Sequence, residues 1–190
     1  MRDPTNDTKT QFLKDEAAKI GKADNLSFGA GDLSKSGSYD EAFCGCWGIL
    51  HSAAVVQLGA VKDPYEAVVK PAVEGTKIVI DSIKTNSNTI QRFVNIASIA
   101  SVVSADKASD THVFKDDDWN TWSTAENGDA YGYAKTEAEK VVFADEDLKQ
   151  SVATIVSVNP SVVLGPCFTR KQAEGGSASI VTGCLVGSVS

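Results

Sequence analysis

Trp47-Gly-Ile-Leu-His-Ser-Ala-Ala54, the apolar-striped segment Pro64–Lys84 and Arg92-Phe-Val-Asn-Ile-Ala97 together form the stretch of sequence that decides the fold. The two outer pieces are short, largely apolar runs, with the length and composition of strands buried in a sheet. Between them Val68, Val69, Val73, Ile78, Val79 and Ile83 recur at helical spacing and lay down one apolar stripe. Pro71 lies inside that segment and has no backbone N–H, which predicts a kink or a late start of the helix. A strand, a helix and a second strand in this order predict parallel pairing with the helix as crossover.

The alternation extends in both directions. Residues 6–20 open with capping residues and carry Phe12, Leu13, Ala17 and Ile20 at helical spacing before Gly21. Leu26–Ala30 predicts a short strand running into Gly31-Asp32-Leu33, and Tyr39–Phe43 a short helix opened by Ser38. Residues 104–130 are polar and rich in Asp, which predicts a long surface loop of the kind that often carries function. Tyr131–Leu148 predicts a helix, and Val152–Val158 a β-branched strand ending at Asn159-Pro160. The expected fold is α/β, a Rossmann-type doubly wound parallel sheet with helices on both faces. It is expected to be incomplete at both ends. No G-x-G-x-x-G or G-x-x-G-x-x-G stands near the N-terminus, where such a sheet opens, and residues 175–190 stop without a clear final element.

A chain of 190 residues is long enough for one domain with a real core. Its net charge of -7 argues against nucleic-acid binding, which needs clustered cations to neutralise phosphates. The apolar runs are too short and broken to span a bilayer, and Met1–Asp7 lacks the apolar core of a signal peptide. Cys44 and Cys46 stand one residue apart, which is not redox or zinc spacing; with Cys167, Cys184 and two histidines they predict no metal site. Reduced thiols in a cytoplasmic protein are the expectation.

The sharpest local signal is Tyr131-Gly-Tyr-Ala-Lys135, followed by Thr136-Glu-Ala-Glu139. Four residues apart on a helix, Tyr131 and Lys135 share one face. An ammonium beside a phenol favours the phenolate, which makes the tyrosine a usable acid or base. A packed Tyr and a solvated Lys would leave the same spacing. Tyr133 points elsewhere on the helix and reads as a packing or pocket residue. Upstream, Ser98 stands at the C-terminal end of a predicted parallel strand, the edge where open α/β sheets bind ligands; a serine that merely caps the strand would read alike. Ser101 is the second candidate for the same role.

Six runs occur in order: Gly31-Asp-Leu33; Gly45-Cys-Trp-Gly-Ile-Leu-His51-Ser-Ala-Ala54; Lys70-Pro-Ala-Val-Glu-Gly-Thr76; Arg92-Phe-Val-Asn-Ile-Ala-Ser98; Tyr131-x-x-x-Lys135-Thr-Glu-Ala-Glu139; and Asn159-Pro-Ser-Val-Val-Leu-Gly-Pro166. Together they resemble the extended short-chain dehydrogenases/reductases, nearest the dihydroflavonol reductase and cinnamoyl-CoA reductase branch, with 3β-hydroxysteroid dehydrogenases and nucleotide-sugar epimerases more distant. The resemblance implies an NADP-dependent oxidoreductase (NAD being possible) that reduces a small-molecule carbonyl to an alcohol by hydride transfer, or runs the reverse reaction. It implies Ser98, Tyr131 and Lys135 as catalytic residues. Cofactor contacts would come from Arg2, whose guanidinium would meet the 2′-phosphate of NADP, and from Asp32 and Leu33 beside the adenine. His51, Ser52 and Ala53 would line the dinucleotide, Lys135 would hold the nicotinamide ribose, and Pro160, Ser161 and Val162 would lie against the nicotinamide.

The same resemblance implies that residues 1–168 are a partial dinucleotide-binding domain and 169–190 the start of a substrate region. The strand before Ser98 departs from the family in ending Ile96-Ala97-Ser98 rather than Thr-Ser-Ser. The Gly-rich strand–turn–helix is missing from these residues, so the chain by itself is expected to bind cofactor weakly and fold marginally. A nucleotide-sugar epimerase or dehydratase, a non-catalytic NAD(P)-binding protein and an inactive fragment are the alternative readings. Substrate and oligomeric state are not legible.

Overall fold

A computed structural model describes residues 1–54, 61–109, 111–174 and 176–186. Among them the helices are α1 (Asp7–Lys19), α2 (Asp40–Phe43), α3 (Lys70–Thr85), α4 (Ala130–Ala144), α5 (Glu146–Ser151), α6 (Arg170–Ala173) and α7 (Gly176–Leu185). The strands are β1 (Gly48–His51), β2 (Arg92–Ile96) and β3 (Thr154–Val158). The chain forms two compact units. One holds Met1–Arg2 and Gly29–Ser161; the other holds Asp3–Phe28 and Val162–Ser190.

In the first unit, β1, β2 and β3 lie side by side in chain order and all run parallel. α3 crosses from β1 to β2, α4 and α5 cross from β2 to β3, and α3 packs on α4 and α5. This is the strand–helix alternation that the sequence predicts, in the sequential order found in one half of a doubly wound sheet. The register places Ile49, Phe93 and Ile155 side by side across the three strands. Phe93 is fully buried and packs in one cluster with Ile49, Val79, Ile80, Ile83, Ile90, Val142, Leu148 and Val152. The stripe predicted on α3 therefore faces the sheet. The alternate strand residues Leu50, Val156 and Val158 are exposed, at 64%, 43% and 44%, so burial follows the period of two rather than continuous apolar runs.

Several boundaries shift for local reasons. Pro71 stands at the start of α3, and Tyr65–Val69 before it winds as a π-helical turn. The proline sets the late start, because its missing N–H cannot close a helical bond onto the Ala67 carbonyl. The helix expected over Tyr131–Leu148 is two helices. Asp145 between them is extended (φ -82°, ψ 100°), and its carboxylate accepts the Leu148 N–H at 2.8 Å, capping α5. Leu26–Ala30 is not a strand. Its end bonds instead to Met1, whose amine donates to the Gly29 carbonyl at 2.9 Å and whose carbonyl accepts from Gly31 N–H at 3.0 Å. One residue offers too short a partner for a ladder. Gly31 also lies so close to the Tyr39 ring that a Cβ there would fall 2.3 Å from it.

In the second unit, α1 is entered from Asn6, and Thr10 is buried with its hydroxyl donating to the Asn6 carbonyl at 3.2 Å. Phe12 and Phe168 stack with ring centroids 6.1 Å apart. Thr169 and Gln172 cap α6 reciprocally. No helix among the described residues is long and apolar enough to cross a membrane. All four cysteines are free thiols, with Cys44, Cys167 and Cys184 exposed.

Asp145 gives the first unit a readable acid sensitivity. Burial pushes its carboxyl up, but the Leu148 N–H and the Lys84 ammonium at 3.1 Å outweigh that and hold it below the usual range. The stability this confers is present above the ordinary carboxylate pKa and is lost as pH falls through the lowered one. Asp145→Ala is expected to lower the unfolding free energy by about 1–2 kcal/mol at pH 7, with the deficit narrowing below about pH 4. Urea titrations of both proteins across that range provide the check.

Candidate active site

Two residues beyond the Ile49–Phe93–Ile155 row, the same sheet face presents His51, Asn95 and Ser157 in register. His51 and Asn95 are buried, and the Asn95 amide donates to Ser157 Oγ at 3.2 Å. The face that is apolar in the core therefore turns polar at the C-terminal edge of the sheet. A cleft opens there, walled on one side by His51, Ala53 and Ala54 and by Asn95, Ile96 and Ala97, and on the other by Tyr131, Ala134, Lys135, Ala138 and Glu139 from α4.

Tyr131 enters the cleft from the first turn of α4, a turn fixed by a chain of hydrogen bonds. Asn120 donates from its backbone to the Ser101 carbonyl and from its side chain to the Ala100 carbonyl, each at 2.8 Å. Its amide also donates to Ser123 Oγ at 2.7 Å, and Ser123 Oγ donates in turn to Asp129. Asp129 caps α4 by accepting the Gly132 N–H at 3.0 Å. The predicted loop thus carries a polar rail from the end of β2 to the residue before Ala130. Gly132 has a packing reason to lack a side chain, since a Cβ there would lie 2.3 Å from the Asp129 carboxylate.

Within the cleft the Lys135 ammonium lies 5.9 Å from the centroid of the Tyr131 ring, so the predicted pair does share one face. Burial pulls the Lys135 pKa down, and the Glu139 charge opposes that fall. His51 is pushed down to about 4, first by burial and then by the Lys135 charge. Tyr133 packs instead beside Val68, Val69 and Ala134, as expected of a packing residue.

The other predicted site residues divide. Arg2, Asp32, Leu33 and Ala53 line an adjoining cleft of about 720 Å³ that also includes Glu66, Lys70 and Glu74. Leu33, Ala53 and Ala54 belong to both clefts, which therefore meet. Asp32 is bonded to Ser34 through its backbone N–H and its hydroxyl, and these bonds lower its pKa. Ser52, Ser98, Pro160 and Ser161 line neither cleft, and Val162 belongs to the second compact unit. Ser98 follows directly on cleft residues 95–97; it is buried, and its Oγ accepts the Ala100 N–H at 3.2 Å. That leaves its hydroxyl hydrogen able to donate. Ser101, the second candidate, is fully buried with its one hydroxyl hydrogen shared between the Ser98 carbonyl and Glu139, so it is held inside the structure.

Sequence reasoning passed over Asn95 and Glu139. A polar residue inside the apolar strand Arg92–Ala97 was the signal for the first. The second stands four residues after Lys135, in the stripe that begins at Tyr131.

The family model for the 3-beta hydroxysteroid dehydrogenase/isomerase family matches residues 5–174. The dihydroflavonol 4-reductase of Solanum lycopersicum is 33% identical over 177 residues, covering 89% of this chain and 43% of that protein. Cinnamoyl-CoA reductase CAD2 of Medicago truncatula is 30% identical over 169 residues, covering 87% and 49%. The crystal structure of the yeast methylglyoxal/isovaleraldehyde reductase Gre2 complexed with NADPH superposes with a TM-score of 0.73 at 26% identity, covering 90% of this chain and 52% of that one. The chain thus spans about half the length of the relatives it matches.

The burial of His51 makes a direct prediction. Its lowered pKa means the unfolded chain takes up the proton first, so stability falls by about 3 kcal/mol as pH drops from about 6.5 to about 4. In an NMR titration, the imidazole resonance lost in His51→Gln is expected to have its midpoint near pH 4. A midpoint near 6.5 would mean that water reaches the site freely.

Proposed function

The chain belongs to the 3-beta hydroxysteroid dehydrogenase/isomerase family of extended short-chain dehydrogenases/reductases, and we propose that it is the catalytic part of an NADPH-dependent reductase acting on the carbonyl of a small molecule. The observation that carries this reading is the meeting of Tyr131, Lys135 and His51 in one cleft at the C-terminal edge of a parallel sheet.

The adjoining cleft, at about 720 Å³, is the roomier part of the site. The narrow cleft at Tyr131 is lined by alanines at 53, 54, 72, 97, 134 and 138, with buried His51 and Asn95 and half-buried Lys135 as its polar groups. The adjoining cleft offers Arg2 and Lys70 for a phosphate, although Lys70 is already paired with Glu66 at 2.8 Å. The preference for NADP over NAD rests on Arg2. In this reading Asp32 and Leu33 would lie at the adenine end, His51, Ser52 and Ala53 would line the dinucleotide, and Pro160 and Ser161 would lie toward the nicotinamide. Residues 1–168 are the dinucleotide-binding part, and 169–190 begin the substrate region.

When bound, the nicotinamide supplies a hydride to the carbonyl carbon. Tyr131 gives its phenolic proton to the carbonyl oxygen, and Ser98 polarises that oxygen by donating a hydrogen bond. Lys135, which lies 5.9 Å from the centroid of the Tyr131 ring, would hold the ribose. Neutral His51 brings no second cation close to Lys135.

Tyr131→Phe removes the proton donor and keeps the ring. It is expected to abolish turnover of an aldehyde or ketone, followed as NADPH consumption, and to leave NADPH binding by fluorescence titration unchanged. Full activity in that variant would remove Tyr131 from the mechanism.

A further inference from the structure

Glu139 is a carboxylate with only 5% of its surface exposed, a rare place for that group unless it is paired. It follows Lys135 by four residues, as Lys135 follows Tyr131, so all three lie along one face of α4. Its Oε2 accepts hydrogen bonds from Ser101 Oγ and, at 2.8 Å, from the Asn159 amide. Those two donors also hold the strand ends. The two amide hydrogens of Asn159, directly after β3, are shared among Glu139, the Ser98 carbonyl at 3.1 Å and Ser101 Oγ at 2.9 Å, and the one hydroxyl hydrogen of Ser101 is shared between Glu139 and the same Ser98 carbonyl at 2.7 Å. One carboxylate thus ties α4 to the ends of β2 and β3 at the peptide of Ser98. Its Oε1 accepts no hydrogen bond from any described residue, and Glu139 lines the cleft beside Lys135.

A strut needs no charge. Ser101 and Asn159 would donate equally well to a neutral amide, and an ion buried among neutral donors is costly. Resting on the Tyr131–Lys135 reading above, we propose that Glu139 is a positioning residue whose charge acts on the Lys135 ammonium one helical turn away in the same cleft while its hydrogen bonds fix the Ser98 peptide against α4. The titratable groups that face Lys135 are Tyr131 and Glu139 on its own helix and His51 on β1. In the cleft α3 presents Ala72 and Thr76, and β2 with the residue after it presents Asn95, Ile96 and Ala97, none of them titratable. The carboxylate is accordingly the group that opposes the effect of burial on Lys135.

Glu139→Gln keeps the shape and the acceptor oxygen and removes the charge. In protein carrying 13C at lysine Cε, the NMR titration midpoint of Lys135 is expected to fall by roughly one pH unit in this variant. The alkaline limb of the kcat profile should move down with it. An unchanged Lys135 midpoint overturns the proposal, and so does a shifted midpoint with an unmoved profile. Ser101→Ala supplies a second test that leaves the charge in place, should the first variant not fold. It is expected to weaken stability and leave the Lys135 midpoint within a few tenths of a unit, whereas a drop near one unit would show that scaffold rather than charge sets Lys135. The NMR arm reads Glu139 without turnover. Turnover that survives Tyr131→Phe would therefore count against the proposed function and not against this charge pairing.

Discussion

The register of three parallel strands is the constraint on which the rest of this molecule depends. Because side chains alternate with a period of two, the residues at 49, 93 and 155 and those at 51, 95 and 157 share one face. The first row is Ile, Phe and Ile and closes the core beneath α3, α4 and α5. The second is His, Asn and Ser and forms the polar floor of a cleft. A slip of one residue in any strand would send these groups to the exposed face that carries Leu50, Val156 and Val158. Core and site are thus set by the same pairing.

The opposite wall of the cleft is built by other means. α4 is aimed by the bonds that run from Ala100 and Ser101 through Asn120 and Ser123 to Asp129, and it is anchored from beneath by Glu139 on Ser101 and Asn159. Both sets of bonds start at the short turn after β2. The distance between sheet edge and helix therefore depends on polar groups that are buried and satisfied, an arrangement that favours one geometry over many. Lys135 and His51 face each other in that space with both pKa values pulled down by burial, consistent with one cation and one neutral ring.

Much of this was legible in the sequence because it rests on periodicity. The helical stripe from Val68 to Ile83 and the apolar runs at 47–54, 92–97 and 152–158 are local signals, and a helix and three shorter strands lie within them. Tyr131 and Lys135 were legible by their spacing. Leu26–Ala30 misled because its composition suits a strand, while strand formation needs a partner that composition cannot supply. The break at Asp145 was written in a capping residue inside an otherwise helical run. Glu139 and Asn159 were hidden for a deeper reason. Their partners stand 38 and 61 residues away in sequence, Glu139 on Ser101 and Asn159 on the Ser98 carbonyl, and such contacts follow from topology alone.

The central claim is that the polar row at the sheet edge and the first turns of α4 form one binding surface for a reduced nicotinamide dinucleotide. Backbone 1H–15N NMR of the chain titrated with NADPH to millimolar concentration tests it most directly, since weak binding suffices for the readout. Saturable shifts are expected at Leu33, His51–Ala54, Asn95–Ser98, Tyr131 and Lys135, with the cluster lost or displaced when NADPH is replaced by a nucleotide lacking the nicotinamide. Saturable shifts confined to other parts of the chain, or none at millimolar NADPH, would contradict the account.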